Sequence, residues 1–133
     1  MYLFDASAIV NLVKRGSLKP LGGGASLDLA VYESLNAVWK EHVLQSRVDA
    51  GTARGLVEVL TGVFSVIPLE SIRGFELEVY ELAYREGLTV YDAAYLYVAL
   101  REHLTLVSDD RKLLERASRH VRTARTADIL KQQ

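Results

Sequence analysis

Apolar residues along the chain follow two patterns that alternate from one end of the sequence to the other. Short apolar runs predict buried strands, whereas segments with apolar residues every three or four positions predict helices. Strands that alternate with helices indicate a parallel sheet covered on both faces, so we expect an α/β protein with a three-layer α/β/α fold and a central parallel sheet of four to five strands. The predicted strands are residues 2–4, 65–69, 104–107 and 121–123, and the predicted helices are 8–13, 29–45, 50–65, 72–86, 89–100, 111–117 and 127–130.

The segment between the first two predicted helices is rich in glycine. Gly22, Gly23 and Gly24 are consecutive, and no Lys-Ser or Lys-Thr pair follows them as it does in a phosphate-binding loop. We interpret this segment as a flexible connection that leads to a helix cap at Ser26 or Asp28.

The composition limits the class of protein. A chain of 133 residues that is half hydrophobic can form one substantial core, so we expect a single domain over residues 1–133. The absence of cysteine leaves oxygen or imidazole groups as ligands for any metal. No apolar run approaches the length of a membrane span and no basic leader precedes the first one, which predicts a cytoplasmic protein without a membrane partner. The net charge of −1 neither favours nor excludes RNA.

Acidic residues follow two of the predicted strands. Asp5 comes directly after residues 2–4, and Asp109 and Asp110 come shortly after residues 104–107. The carboxyl ends of parallel strands meet at one edge of a sheet, where ligands bind in open α/β folds. A cap on the following helix is the simpler role for each acid. Their recurrence at this position indicates a site at that edge.

Two more acids lie near the starts of unusually apolar helices. Glu33 interrupts the apolar first half of helix 29–45 and shares a face with Asn36, and Asp92 lies in the first turn of helix 89–100. A carboxylate in an apolar segment needs a partner, because burial of an unpaired charge is very costly. The simpler interpretations are a surface position for Glu33 and a favourable helix-dipole charge for Asp92. In this fold class, helix N-termini lie at the same edge as the strand ends.

Four carboxylates at one edge would repel one another and raise one another's pKa unless cations neutralised them. Oxygen ligands favour Mg²⁺ or Mn²⁺. Such an ion keeps part of its water shell, activates a water nucleophile and stabilises charge on a phosphate. The pattern therefore predicts metal-assisted hydrolysis of a phosphodiester.

Four short motifs resemble, in order and spacing, those of the PIN-domain ribonuclease family, which contains the VapC-type toxins of toxin–antitoxin pairs. The resemblance covers nearly the whole chain and implies an endoribonuclease that cleaves single-stranded RNA with Mg²⁺ or Mn²⁺. It places the metal ligands at Asp5, Glu33, Asp92 and Asp110. The motifs are LFDAS at residues 3–7, DLAVYE at 28–33 with Asn36, YDAAY at 91–95 and VSDDRKL at 107–113.

The resemblance also implies supporting roles for neighbouring residues. Ser7 and Ser108 would support the ligands by hydrogen bonds, and Asn36 would orient the glutamate or contact the substrate. Asp109 is an additional acid beside Asp110, which leaves two candidates for one ligand position. We favour Asp110 because it stands at the family's spacing.

The apolar composition predicts protein partners. Exposed apolar patches usually mark interfaces, so we expect a homodimer or higher homo-oligomer that uses the two tyrosine-bearing helices. Toxins of the family commonly self-associate and are inhibited by a small antitoxin whose tail lies across the acidic site, which implies a basic-tailed antitoxin protein here. The tyrosines concerned are Tyr80, Tyr84, Tyr91, Tyr95 and Tyr97.

Three other functions fit part of the pattern. A non-catalytic RNA-binding or scaffold domain could share the fold without needing all four acids. A haloacid-dehalogenase-like phosphatase also begins with a strand-end aspartate, but it has a second aspartate two residues later, where this chain has Ser7. A receiver domain would have an acidic pair near its N-terminus, which this chain lacks.

Overall fold

A five-stranded sheet forms the centre of the protein, whose structure is a computed structural model that describes residues 1–132. Its strands are β1 (Tyr2–Phe4), β2 (Gly24–Leu27), β3 (Leu69–Glu70), β4 (Thr105–Val107) and β5 (Thr123–Ala124). All strand pairs are parallel, in the spatial order β3-β2-β1-β4-β5. The helices are α1 (Ala6–Lys14), α2 (Leu29–Trp39), α3 (Ala50–Val66), α4 (Glu76–Glu86), α5 (Val90–Glu102), α6 (Arg111–Ala117) and α7 (Thr126–Leu130). The predicted α/β class with a parallel sheet of four to five strands is confirmed.

The helices cover the two faces of the sheet. Crossovers between parallel strands are right-handed in nearly all proteins, which puts α1 to α3 on one face and α4 to α6 on the other. The packing agrees, since α1, α2 and α3 contact one another and α4 packs along α5. A π-helical turn, Lys40–Leu44, continues α2. Among the described residues, no helix is long and apolar enough to cross a membrane.

Strand β1 lies at the centre of the sheet and is covered on both faces. Tyr2 pairs with Gly24 on one side and with Thr105 on the other, and the two residues after Tyr2 have no exposed surface. An unbroken apolar sequence is typical of a parallel strand that helices cover on both faces. Asp5 follows directly, so the core fixes its position at the carboxyl end of the central strand.

Strand β2 corrects the interpretation of the glycine-rich segment as a flexible connection. Gly24 begins a buried strand whose backbone passes so close to β1 that a Cβ atom would collide with the carbonyl oxygen of Tyr2 and the ring of Phe4. Ser26 is also buried, and its hydroxyl donates a hydrogen bond of 2.6 Å to the carbonyl oxygen of Phe4. The helix cap is therefore Asp28, whose carboxylate accepts from the next residue's amide.

Two other predicted elements begin four residues later than expected. Helix α3 continues to Val66, so β3 begins only at Leu69, and it is an edge strand. Helix α4 begins at Glu76 rather than at residue 72, because Gly74 adopts a φ of +91° that a right-handed helix cannot contain. Neither difference moves an acidic residue away from the carboxyl edge of the sheet.

Candidate active site

The carboxyl edge of the sheet carries two acids at the point where the strand order changes direction. From β1, the chain continues to β2 on one side, whereas β4 lies on the other side. A crevice at such a point is the usual ligand site of an open parallel sheet. Asp5 caps α1 after β1, and Asp110 caps α6 after β4. Both acids therefore cap helices, as the simpler interpretation of each predicts. The caps also hold both carboxylates at the carboxyl edge of the sheet.

Asp5 is buried, and its two carboxylate oxygens accept three hydrogen bonds. Oδ1 accepts from the Ser7 hydroxyl at 2.7 Å and from an amide in the first turn of α1 at 2.9 Å, while Oδ2 accepts from the Ser108 hydroxyl at 2.5 Å. In turn, Ser7 Oγ accepts from the amide of Asp109 and Ser108 Oγ accepts from the amide of Asp110. The turn after β4 is thereby fastened to the turn after β1.

The environment of Asp5 opposes its negative charge. Burial raises its pKa from 3.8 to about 6, although the hydrogen bonds from Ser108 and Ser7 favour the charged form. The negative charge of Asp92 contributes to the rise. A cation beside Asp5 would reverse this balance and favour the ionised carboxylate.

Asp92 interacts electrostatically with each of the other three acids. It lies half-buried in the first turn of α5, and burial is the largest cause that raises its pKa to about 6. The charges of Asp110 and Glu33 raise this pKa further, and the ammonium group of Lys112 opposes them. Asp92 in turn raises the pKa of Asp5. Four acids that are far apart in sequence therefore act on one another electrostatically.

Glu33 is held by a tyrosine that the sequence did not indicate as a site residue. The buried Tyr95 donates a hydrogen bond of 2.8 Å from its hydroxyl to Oε1 of Glu33. Burial and the charge of Glu33 hold the pKa of Tyr95 above its usual range, so the phenol keeps its proton. The available signal was spacing, since Tyr95 lies three residues after Asp92 and shares its helix face. Asn36 is exposed and makes no hydrogen bond to Glu33 within residues 1–132.

Asp109 and Asp110 have different environments although they are adjacent. The Asp109 carboxylate accepts from the Asn11 side chain at 2.6 Å and from the amide and hydroxyl of Thr126 at 3.0 and 2.7 Å. Burial opposes the charge of Asp109, but these hydrogen bonds outweigh it and hold the pKa below its usual value. Asp109 thus ties α1 to α7. Asp110 is exposed, caps α6 at 3.1 Å, and is the member of the pair whose charge acts on Asp92.

The ligand chemistry of these acids fits a hard divalent cation. All the donors are carboxylate oxygens, and two of the carboxyl groups have a pKa raised by burial and by neighbouring negative charge, which a cation would lower. In the part of the chain that the structure describes, no three acidic or histidine side chains already converge as a ligand set. The acids therefore influence one another electrostatically, but their side chains do not form a closed coordination shell in these residues.

The five-stranded parallel sheet flanked by helices has the arrangement of a PIN-like α/β fold. The crystal structure of PAE2754 from Pyrobaculum aerophilum has the same fold, with a TM-score of 0.79 over 98% of this chain and 94% of that chain, at 34% sequence identity. Two curated protein sequences of the same organism are also similar to this chain. Exonuclease VapC9 is 43% identical over an alignment of 119 residues, which covers 85% of this chain and 83% of that protein. Ribonuclease VapC3 is 34% identical over 91 residues, 68% of this chain and 69% of that protein.

These similarities identify the family. No protein-family model matches the chain. The identity to VapC9 over most of both chains nevertheless shows that this protein belongs to the VapC family of PIN-domain proteins, as the four sequence motifs indicated.

Proposed function

We propose that this protein is the toxin of a toxin–antitoxin pair and that it hydrolyses single-stranded RNA as a metal-dependent endoribonuclease. The observation that carries the proposal is the geometry of the acids: Asp5 and Asp110 follow the adjacent strands β1 and β4 and are linked through Ser108. Asp92 and Glu33 lie near enough to interact with them, since burial and then the charges of Asp110 and Glu33 raise the pKa of Asp92. Acids that disfavour one another's ionisation in this way are typical of functional sites. The relatives' names, an exonuclease and a ribonuclease, support a nuclease.

In this proposal Asp5, Glu33, Asp92 and Asp110 hold Mg²⁺ or Mn²⁺, which supplies Lewis acidity toward water and phosphate when bound. The chain's own contribution is to fix the carboxylates. The hydroxyls of Ser7 and Ser108 hold both oxygens of Asp5, and the hydroxyl of Tyr95 holds one oxygen of Glu33.

The chemical ends of the cleavage products distinguish hydrolysis by water from transesterification. Attack of water on phosphorus with departure of the 3′-oxygen leaves a 5′-phosphate and a 3′-hydroxyl. Attack by the ribose 2′-hydroxyl would instead give a cyclic phosphate. We therefore expect cleavage products with 5′-phosphate ends only, and the analysis of end groups by phosphatase and ligase treatment tests this directly.

A cleavage assay on defined RNAs tests the proposed function. Purified protein is incubated with Mg²⁺, Mn²⁺ or EDTA, and Asp92→Asn is compared with Glu58→Gln, which changes an exposed acid on α3. We expect divalent-metal-dependent cleavage by the wild type and by Glu58→Gln, and at least a hundredfold loss for Asp92→Asn. Cleavage that persists in EDTA, or full activity of Asp92→Asn, contradicts the proposal.

A circular single-stranded RNA separates endonuclease from exonuclease activity, a distinction that matters because one relative is named an exonuclease. A circle has no ends, so only an endonuclease opens it. We expect the circle and a linear RNA of the same sequence to be cut at comparable rates. Degradation of the linear RNA alone would assign exonuclease activity to the same site.

We also propose an antitoxin partner and cytoplasmic action. Family membership supports a small antitoxin, and the acids at the carboxyl edge favour a basic tail, because arginine pairs strongly with carboxylates. The partner is expected to be a small protein whose basic tail competes with RNA for the site. A co-encoded small protein that binds without slowing cleavage would contradict this part of the proposal.

A further inference from the structure

A shallow cleft of about 470 Å³ lies beside Glu33, and two exposed tyrosine rings line it. Tyr32 and Tyr91 directly precede Glu33 and Asp92 in sequence, and their side chains are 75% and 59% exposed. Leu29 and Asn36 complete the lining. Two aromatic rings thus stand next to two of the acids proposed to bind metal, but on different helices.

Neither of these two rings belongs to the hydrophobic core. Tyr95, by contrast, is buried and its hydroxyl holds Glu33. The hydroxyls of Tyr32 and Tyr91 and the amide of Asn36 make no side-chain hydrogen bond within residues 1–132. Large aromatic surfaces exposed next to a site usually mark an interaction surface.

We propose that this cleft is a subsite for one nucleobase of the RNA, next to the phosphate that is cleaved. The base stacks on the rings of Tyr32 and Tyr91, and the Asn36 amide, which offers both a donor and an acceptor, contacts its edge. The cleft volume lies within the usual range of small-molecule sites. This inference rests on the proposed function, since it assigns a substrate group to the same active site.

The distribution of charge favours a base over a phosphate in this cleft. Among the described residues, the only charged one in its lining is Glu33, whose carboxylate repels a phosphate. Cationic groups lie elsewhere around the acids, since the ammonium of Lys112 acts on Asp92 and exposed Arg111 precedes it on α6. The RNA backbone is therefore drawn to the α6 side of the acids, while a neutral, flat base fits the tyrosine side.

The first test measures base stacking without relying on cleavage. A short single-stranded RNA that carries the fluorescent base 2-aminopurine is titrated with protein, and Tyr32→Leu and Tyr91→Leu are compared with Tyr84→Leu, which removes an 80% exposed ring on α4. Stacking quenches the fluorescence, so we expect quenching by the wild type and by Tyr84→Leu. Each cleft variant should bind roughly tenfold more weakly, and the corresponding phenylalanine variants should retain quenching.

The second test asks whether the rings and one particular base act together. The ratio kcat/KM is measured on an RNA with one cleavage site and on copies in which a single nucleotide beside that site lacks its base. We expect one abasic position to lower kcat/KM roughly tenfold for the wild type, with little further loss when Tyr32→Leu is combined with it. A merely structural role of Tyr32 would give independent, multiplicative losses.

These outcomes separate the subsite from the proposed function. If the wild-type protein quenches the probe but cleaves no RNA with either metal, the proposed endoribonuclease function is wrong and the base-binding subsite is supported. Absent quenching, or equal quenching by the leucine variants, overturns the subsite whatever the cleavage activity. A change in oligomeric state for Tyr32→Leu with unchanged kcat/KM also overturns it, because the ring would then contact another copy.

Discussion

Asp5 experiences two opposing effects at the level of single atoms. Three hydrogen bonds stabilise its charged form, while burial at the end of the central strand destabilises it. Burial is the larger effect, since the pKa rises from 3.8 to about 6. Above that pH, the metal-free protein holds a negative charge in a buried position, and a bound cation would compensate it.

The first prediction concerns the pH dependence of stability without metal. In EDTA, the free energy of unfolding should fall as the pH rises from about 4 to about 6 and then level off, because Asp5 and Asp92 lose their protons near 3.8 in the unfolded chain and only near 6 in the folded protein. The contribution of Asp5 is roughly 3 kcal/mol, since one pKa unit corresponds to about 1.4 kcal/mol. Urea unfolding at a series of pH values measures it.

Asp5→Asn is the control for that prediction, because an amide does not titrate. This variant should show a flatter pH profile than the wild type and a higher melting temperature near pH 7 in EDTA. Addition of Mg²⁺ should stabilise the wild type more than the variant. A variant with an unchanged pH profile would show that Asp5 is not the source of the dependence.

The second prediction separates the two adjacent aspartates. Asp109→Asn replaces one acceptor oxygen by a donor that faces Asn11 or Thr126, so it should destabilise the protein by about 1–3 kcal/mol while leaving part of the activity. Asp110→Asn keeps a helix cap of similar quality and should abolish cleavage with little effect on stability. Thermal melting and kcat together measure this. The reverse order of activity would assign the ligand role to Asp109.

Strand β2 illustrates at the scale of elements how a small residue can be required by close packing. The third prediction is that Gly24→Ala destabilises the protein by about 1–3 kcal/mol or more, because the added methyl group meets the carbonyl oxygen of Tyr2 and the ring of Phe4. Gly23→Ala is the matched control, since its methyl group would have no neighbour within 4 Å. Urea midpoints of the two variants measure the difference, and equal midpoints would contradict the close approach.

The elements that could be predicted from sequence are those whose local pattern agrees with their environment. The apolar runs of β1 and β4 predict buried strands, and both lie in the middle of the sheet. Strand β2 could not be predicted, because Gly24 and Ser26 become suitable for a buried strand only through their contacts with Tyr2 and Phe4. The secondary-structure preferences of the local sequence do not reveal such contacts between segments that are far apart in the chain.

The candidate site likewise contains residues that could be predicted from the sequence and residues that could not. The acids could be predicted because each stands at a strand end or in the first turns of an apolar helix, positions that the sequence itself reveals. Tyr95 could not be assigned to Glu33, because 62 residues separate them. The contacts of Asn11 and Thr126 with Asp109 could not be predicted from the sequence either, because they depend on the packing of α1 against α7.

The whole molecule exposes an apolar face on α4 and α5. Leu77 is 67% exposed and lies with Tyr80 and Tyr84 on α4, and a groove of about 630 Å³ runs between this helix and α5. Tyr95 does not belong to this face, because its ring is buried. Charged side chains also line this groove, namely Glu78, Glu81, Arg85 and Arg101. The exposed apolar side chains between them support the expected self-association.

The fourth prediction is a homodimer or larger closed assembly that uses this face. Sedimentation velocity at micromolar concentration should show an oligomer, and Leu77→Glu or Tyr84→Glu should shift it toward the monomer, because each would bury an unpaired charge at the interface. Val66→Glu is the control, since Val66 is 78% exposed at the end of α3. A wild-type monomer, or equal behaviour of all three variants, would contradict this interface.

The position of β1 in the middle of the sheet has a consequence for the order of events during synthesis. Asp5 leaves the ribosome 103 residues ahead of Ser108, whose hydroxyl holds its Oδ2. At about 5–20 residues per second, that interval is roughly 5 to 20 s. Until nearly the end of that interval the nascent chain lacks β4, and throughout it the chain lacks Asp110. A chain interrupted before Asp110 therefore never assembles the acidic site.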